Sequence, residues 1–477
     1  MARERKWRGG ARAWTALWVM VASGAGAEAA PPPPPPAISS TAEAVYASAR
    51  PRLLQIRTLV DTAGRQASLG SGFVISADGF ALTNYHVVSQ YVLEPQTYRL
   101  EYVAADGTSG SLKVHAIDVP NDLAVLRLDR KGLPYFQFEP RAIDGAMPKG
   151  ERLFAMGNPL DIGFTIVEGT YNGLVEKSYS ERIHFTGALN PGMSGGPTVT
   201  TAGRIAGVNV AKQVSGELVS FLVAPRLAAA LVERARTQGP LAPEKARAEI
   251  TRQLTTWQAG LYTAITTEGF RPASYGPYRA PESAASWFSC WSRTNADAVP
   301  KPRAIVNATN CRTKTWLFVA NDLSTGQIEF SHSYVRSLNL NAFQFSAFLS
   351  EQYRSSWIGG FAPKRLTRQK CHEDFVARGT GPHRPLLRVV FCPAPTASSK
   401  GSTTSPWPGS RKIETVRPWC RAWRCVAWAM TTPWPWASAS SPRWSAPDVL
   451  GRGLVAPRRG GRAAALPWPR DPRGASL

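Results

Sequence analysis

Three residues in the first half of the chain have the chemistry for nucleophilic catalysis: His86, Asp122 and Ser194. Acyl transfer by a serine needs a hydroxyl that attacks and an imidazole that takes its proton. It also needs a carboxylate to orient the imidazole and N–H donors for the developing oxyanion. Ser194 sits in Asn190-Pro-Gly-Met-Ser-Gly-Gly-Pro197. Glycines around a serine let the backbone turn sharply, so the hydroxyl projects and the N–H groups of Gly192 and Ser194 can point to one spot. A Gly-rich hairpin with no chemistry would carry the same composition. His86 lies in Ala81-Leu-Thr-Asn-Tyr-His-Val-Val88, and Asp122 heads Asn121-Asp-Leu-Ala-Val-Leu-Arg-Leu128. Alone, that histidine reads as structural and that aspartate as a turn residue or cap. The three together, in the order His, Asp, Ser, read as a catalytic triad.

The elements that must position them are short strands. Between residues 40 and 238, apolar segments alternate with Gly, Asn and Asp turns: Ser71–Ser76, Tyr98–Val103, Leu123–Leu128, Arg204–Val210 and Val219–Val223. Many short strands with frequent turn signals predict a sandwich or barrel. The segment before His86, Gly70-Ser-Gly-Phe-Val-Ile-Ser-Ala-Asp-Gly79, reads as a strand and a turn. Helical stretches near 38–49 and 225–236 frame the unit, the second with Leu227, Leu231 and Val232 on one face.

With four motifs in place, residues 40–238 resemble the trypsin-like serine protease domain of the HtrA/DegP type. The carrying residues are Gly70-Ser-Gly-Phe-Val-Ile, Thr83-Asn-Tyr-His-Val-Val, Asn121-Asp-Leu-Ala-Val-Leu and Asn190-Pro-Gly-Met-Ser-Gly-Gly-Pro. The order of the three residues also differs from the α/β-hydrolase and subtilisin orders. The resemblance implies an all-β, chymotrypsin-like unit of two six-stranded antiparallel barrels, with His86 and Asp122 from the first and Ser194 from the second. It implies a serine endopeptidase acting on polypeptides through an acyl-enzyme, with Gly192 and Ser194 as the oxyanion hole and no cofactor or metal. It further implies that residues 210–213 pair with substrate backbone. Ala188 and Leu189, upstream of the serine, suggest a pocket for small or medium apolar side chains. Ala211 and Lys212 also fall at the pocket, and Lys212 would instead favour an acidic residue. Two departures stand out. Met193 occupies the position before the serine, where the family usually has Asn or Asp, and no PDZ-type carboxylate-binding loop follows Gln238.

The rest of the chain is less informative. At 477 residues it is too long for one ordinary domain. The net charge of +23 hints at a nucleic-acid partner, but much of it is terminal, with a net +10 in residues 397–477 alone. The core therefore reads as a moderately basic surface, and nucleic acid is not expected. Residues 1–29 read as a secretory signal: basic residues, the apolar run Trp14–Ala22, then Ala25-Gly26-Ala27 as a cleavage pattern. The prediction is a periplasmic or secreted product without stable membrane insertion. Pro31–Pro36 make residues 30–39 a stiff linker.

Residues 241–396 read as a smaller α+β domain of unknown role that opens with a helix over 243–262. Its aromatics, Trp287, Trp291, Trp316 and Trp357, form either a core or a surface for an unknown partner. Nearest-neighbour pairing would join Cys290 to Cys311 and Cys371 to Cys392, though other connectivities stay open. Residues 397–477 hold 8 of the 16 tryptophans without any helical or strand period. They read either as a frameshifted stretch of a GC-rich gene or as a disordered basic tail. A different class of function also fits the whole: an exported binding or chaperone-like protein on an inactive protease scaffold.

Overall fold

Alternation of apolar and polar residues builds the first sheet. In Tyr98–Ala104, Leu100 and Tyr102 point inward and Arg99 and Glu101 outward, the two-residue period of a half-buried strand. The computed structural model describes residues 40–210, 218–275, 278–315, 317–326, 328–356, 372–377, 386–391 and 424–426. The expected signal and linker (1–39), Ala211, Lys212, Trp316, Trp357, Cys371, Cys392, Cys420 and nearly all of the tail lie outside the described residues.

After helix α1 (Ser40–Ala49), the first barrel uses β1 (Leu53–Val60), β2 (Gln66–Val74), β3 (Phe80–Thr83), β4 (Tyr98–Ala104), β5 (Ser109–Asp118) and β6 (Leu123–Leu128). Its order is β1-β2-β3-β6-β5-β4, and antiparallel pairing of β1 with β4 closes it. Helix α2 (Tyr85–Leu93) is inserted after β3. A short helix, α3 (Pro140–Ile143), precedes the second barrel. That barrel consists of β7 (Arg152–Gly157), β8 (Thr165–Leu174), β9 (Ile183–Thr186), β10 (Pro197–Val199), β11 (Ile205–Val210) and β12 (Ser220–Val223), closed in the order β10-β11-β12-β9-β8-β7. The unit is thus two closed six-stranded antiparallel barrels.

Helix α4 (Pro225–Gln238) starts with proline at its first turn, where no N–H is missed, and is followed by Gly239 at φ 69°. Its buried Ala228, Leu231, Val232 and Ala235 recur at three- and four-residue spacing and join a core containing Phe73, Leu123, Phe154 and Val208. Each large aliphatic buried this way contributes about 1.5–3 kcal/mol.

The C-terminal part contains strands and helices. Helix α5 (Pro243–Glu268) runs longer than the sequence pattern predicts. It is followed by β13 (Phe270–Tyr275), β14 (Tyr278–Ser283), β15 (Phe288–Thr294), β16 (Ala304–Thr313), β17 (Leu317–Ala320), β18 (Leu323–Thr325) and β19 (Glu329–Ser337). Then come α6 (Ala342–Ser356), β20 (His372–Ala377), β21 (Leu386–Phe391) and β22 (Arg424–Val426). Cys290 and Cys311 face each other across β15 and β16 and form a disulfide. Of the two candidate surface tryptophans described, Trp287 is buried and Trp291 is exposed. Among the described residues, no helix is long and apolar enough to cross a membrane.

The buried face of α5 carries Ala246, Ile250 and Leu254. These share one apolar cluster with Leu317, Val319, Ala320 and Leu323 and with first-barrel residues such as Ile56, Tyr85, Val88 and Leu126.

Candidate active site

His86 is the second residue of α2, so the end of β3 and the start of the helix fix its backbone. Asp122 closes a turn: its N–H donates to the Val119 carbonyl at 3.2 Å, and its φ is 61°. A left-handed aspartate is tolerated where side-chain and backbone bonds over-determine it, and here they do. The Asn84 amide donates to the Asp122 carbonyl oxygen at 2.8 Å. Both carboxylate oxygens of Asp122 are committed to His86. Oδ1 accepts the His86 backbone N–H at 2.9 Å, and Oδ2 lies 2.8 Å from Nδ1 of the ring. The Asp122 side chain is 5% exposed and that of His86 24%, so the carboxylate is shielded while the imidazole still reaches solvent.

Ser194 arrives from the second barrel on a loop tied back to the first. Its carbonyl accepts the Ser71 N–H at 2.8 Å. The Ser71 hydroxyl donates to the Gly192 carbonyl at 2.7 Å and accepts the Asn158 N–H at 2.9 Å. Thr83 donates its hydroxyl to the Ser71 carbonyl at 2.7 Å, which fastens the same strand to the segment leading into His86. Gly195, at φ 83°, presses so close that a β-carbon there would lie 2.4 Å from the Thr83 hydroxyl and 2.8 Å from the Asn84 nitrogen. The residue after Ser194 therefore touches the residues just before His86, which sets the serine loop beside the segment that carries the His86–Asp122 pair.

The loop before the serine is a tight turn. Met193 N–H donates to the Asn190 carbonyl at 3.0 Å, with Pro191 and Gly192 (φ 95°) at its centre, a pattern that fits a type II turn. A β-carbon at Gly192 would meet the Asn158 carbonyl oxygen at 2.4 Å. The Met193 side chain is turned into the second barrel. It is fully buried in the second barrel with Leu153, Ala155, Phe185 and Leu222. Its carbonyl accepts the amide of fully buried Asn209 at 3.3 Å, and the same amide donates to the Met156 carbonyl at 2.9 Å. The departure from a polar residue at this position is thus accommodated by an apolar socket.

Ala188 is exposed and Leu189 partly buried, on the loop between β9 and the serine. The Ser220 hydroxyl donates to the Gly187 carbonyl at 2.6 Å and accepts the Leu189 N–H at 3.2 Å, which holds that loop against β12.

Residues 70–208 match the model of the trypsin-like peptidase domain. This part of the chain is a trypsin-like peptidase domain. Around it, 152 residues are 32% identical to a "Probable periplasmic serine endoprotease DegP-like" of Chlamydia muridarum, covering 31% of this chain and 29% of that protein. Over 185 residues the identity is 31% to the protein of the same description from Marinomonas, covering 37% of each. The chain thus spans well under half the length of these relatives. A solved structure described as the serine endoprotease from Yersinia pestis aligns with 24% identity and a TM-score of 0.37, covering 43% of this chain and 69% of that one.

Several residues that support the candidate site, two of them in the C-terminal part, escaped the sequence reading. Ser71 and Thr83 lie inside quoted motifs, where their hydroxyls offered a signal. Asn209, Gln253 and Phe318 had none, since they reach the site only through the fold.

Proposed function

We propose that the chain is an exported serine endopeptidase that hydrolyses peptide bonds through His86, Asp122 and Ser194. The observation that carries this reading is the doubly held His86–Asp122 pair, with 2.9 and 2.8 Å contacts to the two carboxylate oxygens. An Nδ1–H held by a carboxylate leaves Nε2 as the basic nitrogen. Nε2 of His86 takes the Ser194 proton as Oγ attacks the peptide carbonyl. The oxyanion receives the N–H groups of Gly192 and Ser194. Collapse of the tetrahedral intermediate breaks the C–N bond, and His86 returns the proton to the departing amine. Water then repeats the sequence and releases the acyl group from Oγ.

Substrate is a polypeptide. Its backbone pairs with the chain around 210–213. Ala188 and Leu189 favour small or medium apolar residues before the cut; Lys212, outside the described residues, would instead favour an acidic one. The periplasmic description of the relatives and the signal-like residues 1–29 support export.

Labelling with a fluorophosphonate tests the reading. Wild type is expected to label, and Ser194→Ala to abolish it. A folded wild type that stays unlabelled, under conditions that label another serine protease, overturns the reading.

A further inference from the structure

The segment after α4 meets the peptidase domain at the two places where the candidate triad is held. At the first, the hairpin of β17 and β18 lies on the helix that carries His86. The Tyr85 hydroxyl, fully buried, donates to the Val319 carbonyl at 3.0 Å. The Phe318 ring stands edge-on to both neighbours, 6.3 Å from Tyr85 and 5.9 Å from the His86 imidazole itself, centroid to centroid. At the second, Gln253 of α5 grips the turn that ends in Asp122. Its Oε1 accepts the Val119 N–H at 2.8 Å and its Nε2 donates to the Ile117 carbonyl at 2.7 Å. Gln253 is only 7% exposed, and Nε2 also donates to Glu249 at 2.7 Å. Val119 is the residue whose carbonyl accepts the Asp122 N–H.

Apolar packing alone would join α5 to the barrel anywhere along its surface. Here a buried bidentate amide sits on the Asp122 turn, and an aromatic ring sits on the His86 imidazole. Both belong to the unit that follows the peptidase domain. The same unit also reaches the second barrel, where Tyr179 of the β8–β9 loop meets Trp257 of α5 edge-on and Trp287 at a tilt, with centroids 5.5 and 5.3 Å away.

From this geometry we infer that residues 241–325 are a built-in positioning device for the triad, with Phe318 restraining the His86 ring and Gln253 fixing the Asp122 turn. The inference rests on the serine-protease reading of that site. His86 must hold its orientation as it gains and loses a proton, and a flanking ring restricts the swings that would break the Asp122 contact. The Asp122 turn must keep its carboxylate aimed at two donors at once, and the Gln253 amide holds the strand end that enters that turn, at Ile117 and Val119. Misplacing a catalytic group by about 1 Å costs roughly 100-fold in rate, so small slackening here is visible.

The test uses the full chain with Phe318→Ala, Phe318→Leu, Phe318→Tyr and Gln253→Leu. Phe343→Ala, whose side chain is 89% exposed on α6, serves as control. Two readouts are taken on protein whose fold is checked by circular dichroism. The first is fluorophosphonate labelling, separated into maximal rate and half-saturating concentration. The second is the downfield proton resonance of an Nδ1–H bonded to a carboxylate, which reports the His86–Asp122 bond without any turnover. Phe318→Ala and Gln253→Leu are expected to lower the maximal rate by roughly 10- to 100-fold, with little change in half-saturation, and to broaden or abolish the resonance. Phe318→Tyr restores both. Phe318→Leu keeps apolar volume in the shared core but not the ring, so it answers the question should the alanine variant fail to fold. Variants with wild-type maximal rate and an intact resonance overturn the inference. A wild type that does not label overturns the protease reading instead, and the resonance then decides the positioning claim by itself.

Discussion

Replacing Asp122 with Asn tests the core of the proposed mechanism, because the structure dictates how the amide must sit. The His86 backbone N–H is a fixed donor 2.9 Å from Oδ1. Asn must therefore present its carbonyl oxygen there, which turns its NH2 toward Nδ1 of the ring, 2.8 Å away in the native pair. A donor facing Nδ1 makes that nitrogen an acceptor and moves the ring proton to Nε2, the atom that must take the Ser194 proton. The flipped amide would set two donors against each other at the backbone N–H and leave a buried group unpaired, at a cost of about 1–3 kcal/mol. The wrong tautomer is thus enforced by the fold. For the general triad mechanism such a change lowers turnover about 10⁴-fold, equivalent to roughly 5.4 kcal/mol of transition-state stabilisation. The assay compares second-order fluorophosphonate labelling rates and peptide hydrolysis at neutral pH, with thermal unfolding as a check on fold. A folded Asp122→Asn protein that labels within about tenfold of wild type refutes the claim that Asp122 sets the His86 tautomer.

Three other outcomes follow from the geometry. Met193→Ala empties the apolar socket of a fully buried side chain, and is expected to cost about 2–5 kcal/mol and lower Tm by roughly 5–15 °C in a thermal scan. Gly192→Ala places a β-carbon 2.4 Å from the Asn158 carbonyl oxygen at a φ of 95°, so the oxyanion turn must shift. Labelling is expected to fall roughly 100-fold while circular dichroism stays native. Burial pulls the His115 imidazole below its ordinary value of 6.5, outweighing a hydrogen bond to the Ala235 backbone that acts the other way. A folded value below the unfolded one means the unfolded chain binds the extra proton first. The contribution of His115 is therefore complete above about pH 6.5 and is lost as pH falls through that value toward the folded one. Denaturant unfolding of His115→Phe should show a shallower loss of stability over that interval than wild type.

How much of this was legible in the sequence depended on distance along the chain. The motifs around His86, Asp122 and Ser194 are local, and each carries its turn residues and strand neighbours close by in sequence. Strand alternation showed a sandwich or barrel but could not choose between them, because both give the same inward and outward pattern. Closure rests on the pairing of β1 with β4, where Ile56 meets Tyr102. Met193 read as a departure because the resembled family usually has Asn or Asp there, and a glycine-rich loop has no period that reveals which way its side chain points. The contacts made by the C-terminal part were illegible for a plainer reason. Gln253 and Val119 are 134 positions apart, and Tyr85 and Val319 are 234 apart. No composition or spacing rule in α5 marks a glutamine that will cap a distant turn, and the aromatic content near Phe318 reads equally well as core or as surface.

Those distant contacts also bear on a cost inside the site. Asp122 holds a left-handed backbone at φ 61°, a conformation worth about 1–3 kcal/mol of strain for a residue other than glycine. Local bonds offset part of it: Asn84 donates to the Asp122 carbonyl, and Asp118 accepts the Asn121 N–H at 3.1 Å. Val119 N–H, at the start of the same turn, finds its acceptor in Gln253. Without that bond a buried N–H would lose its partner, and the turn could relax toward a backbone in which the carboxylate no longer meets two donors of His86. Strain at the triad and the docking of α5 are thus coupled. On the proposed reading, docking of α5 onto the first barrel favours the backbone conformation that aims Asp122, so a candidate site built from widely separated motifs would depend on a helix that begins more than a hundred residues after its aspartate.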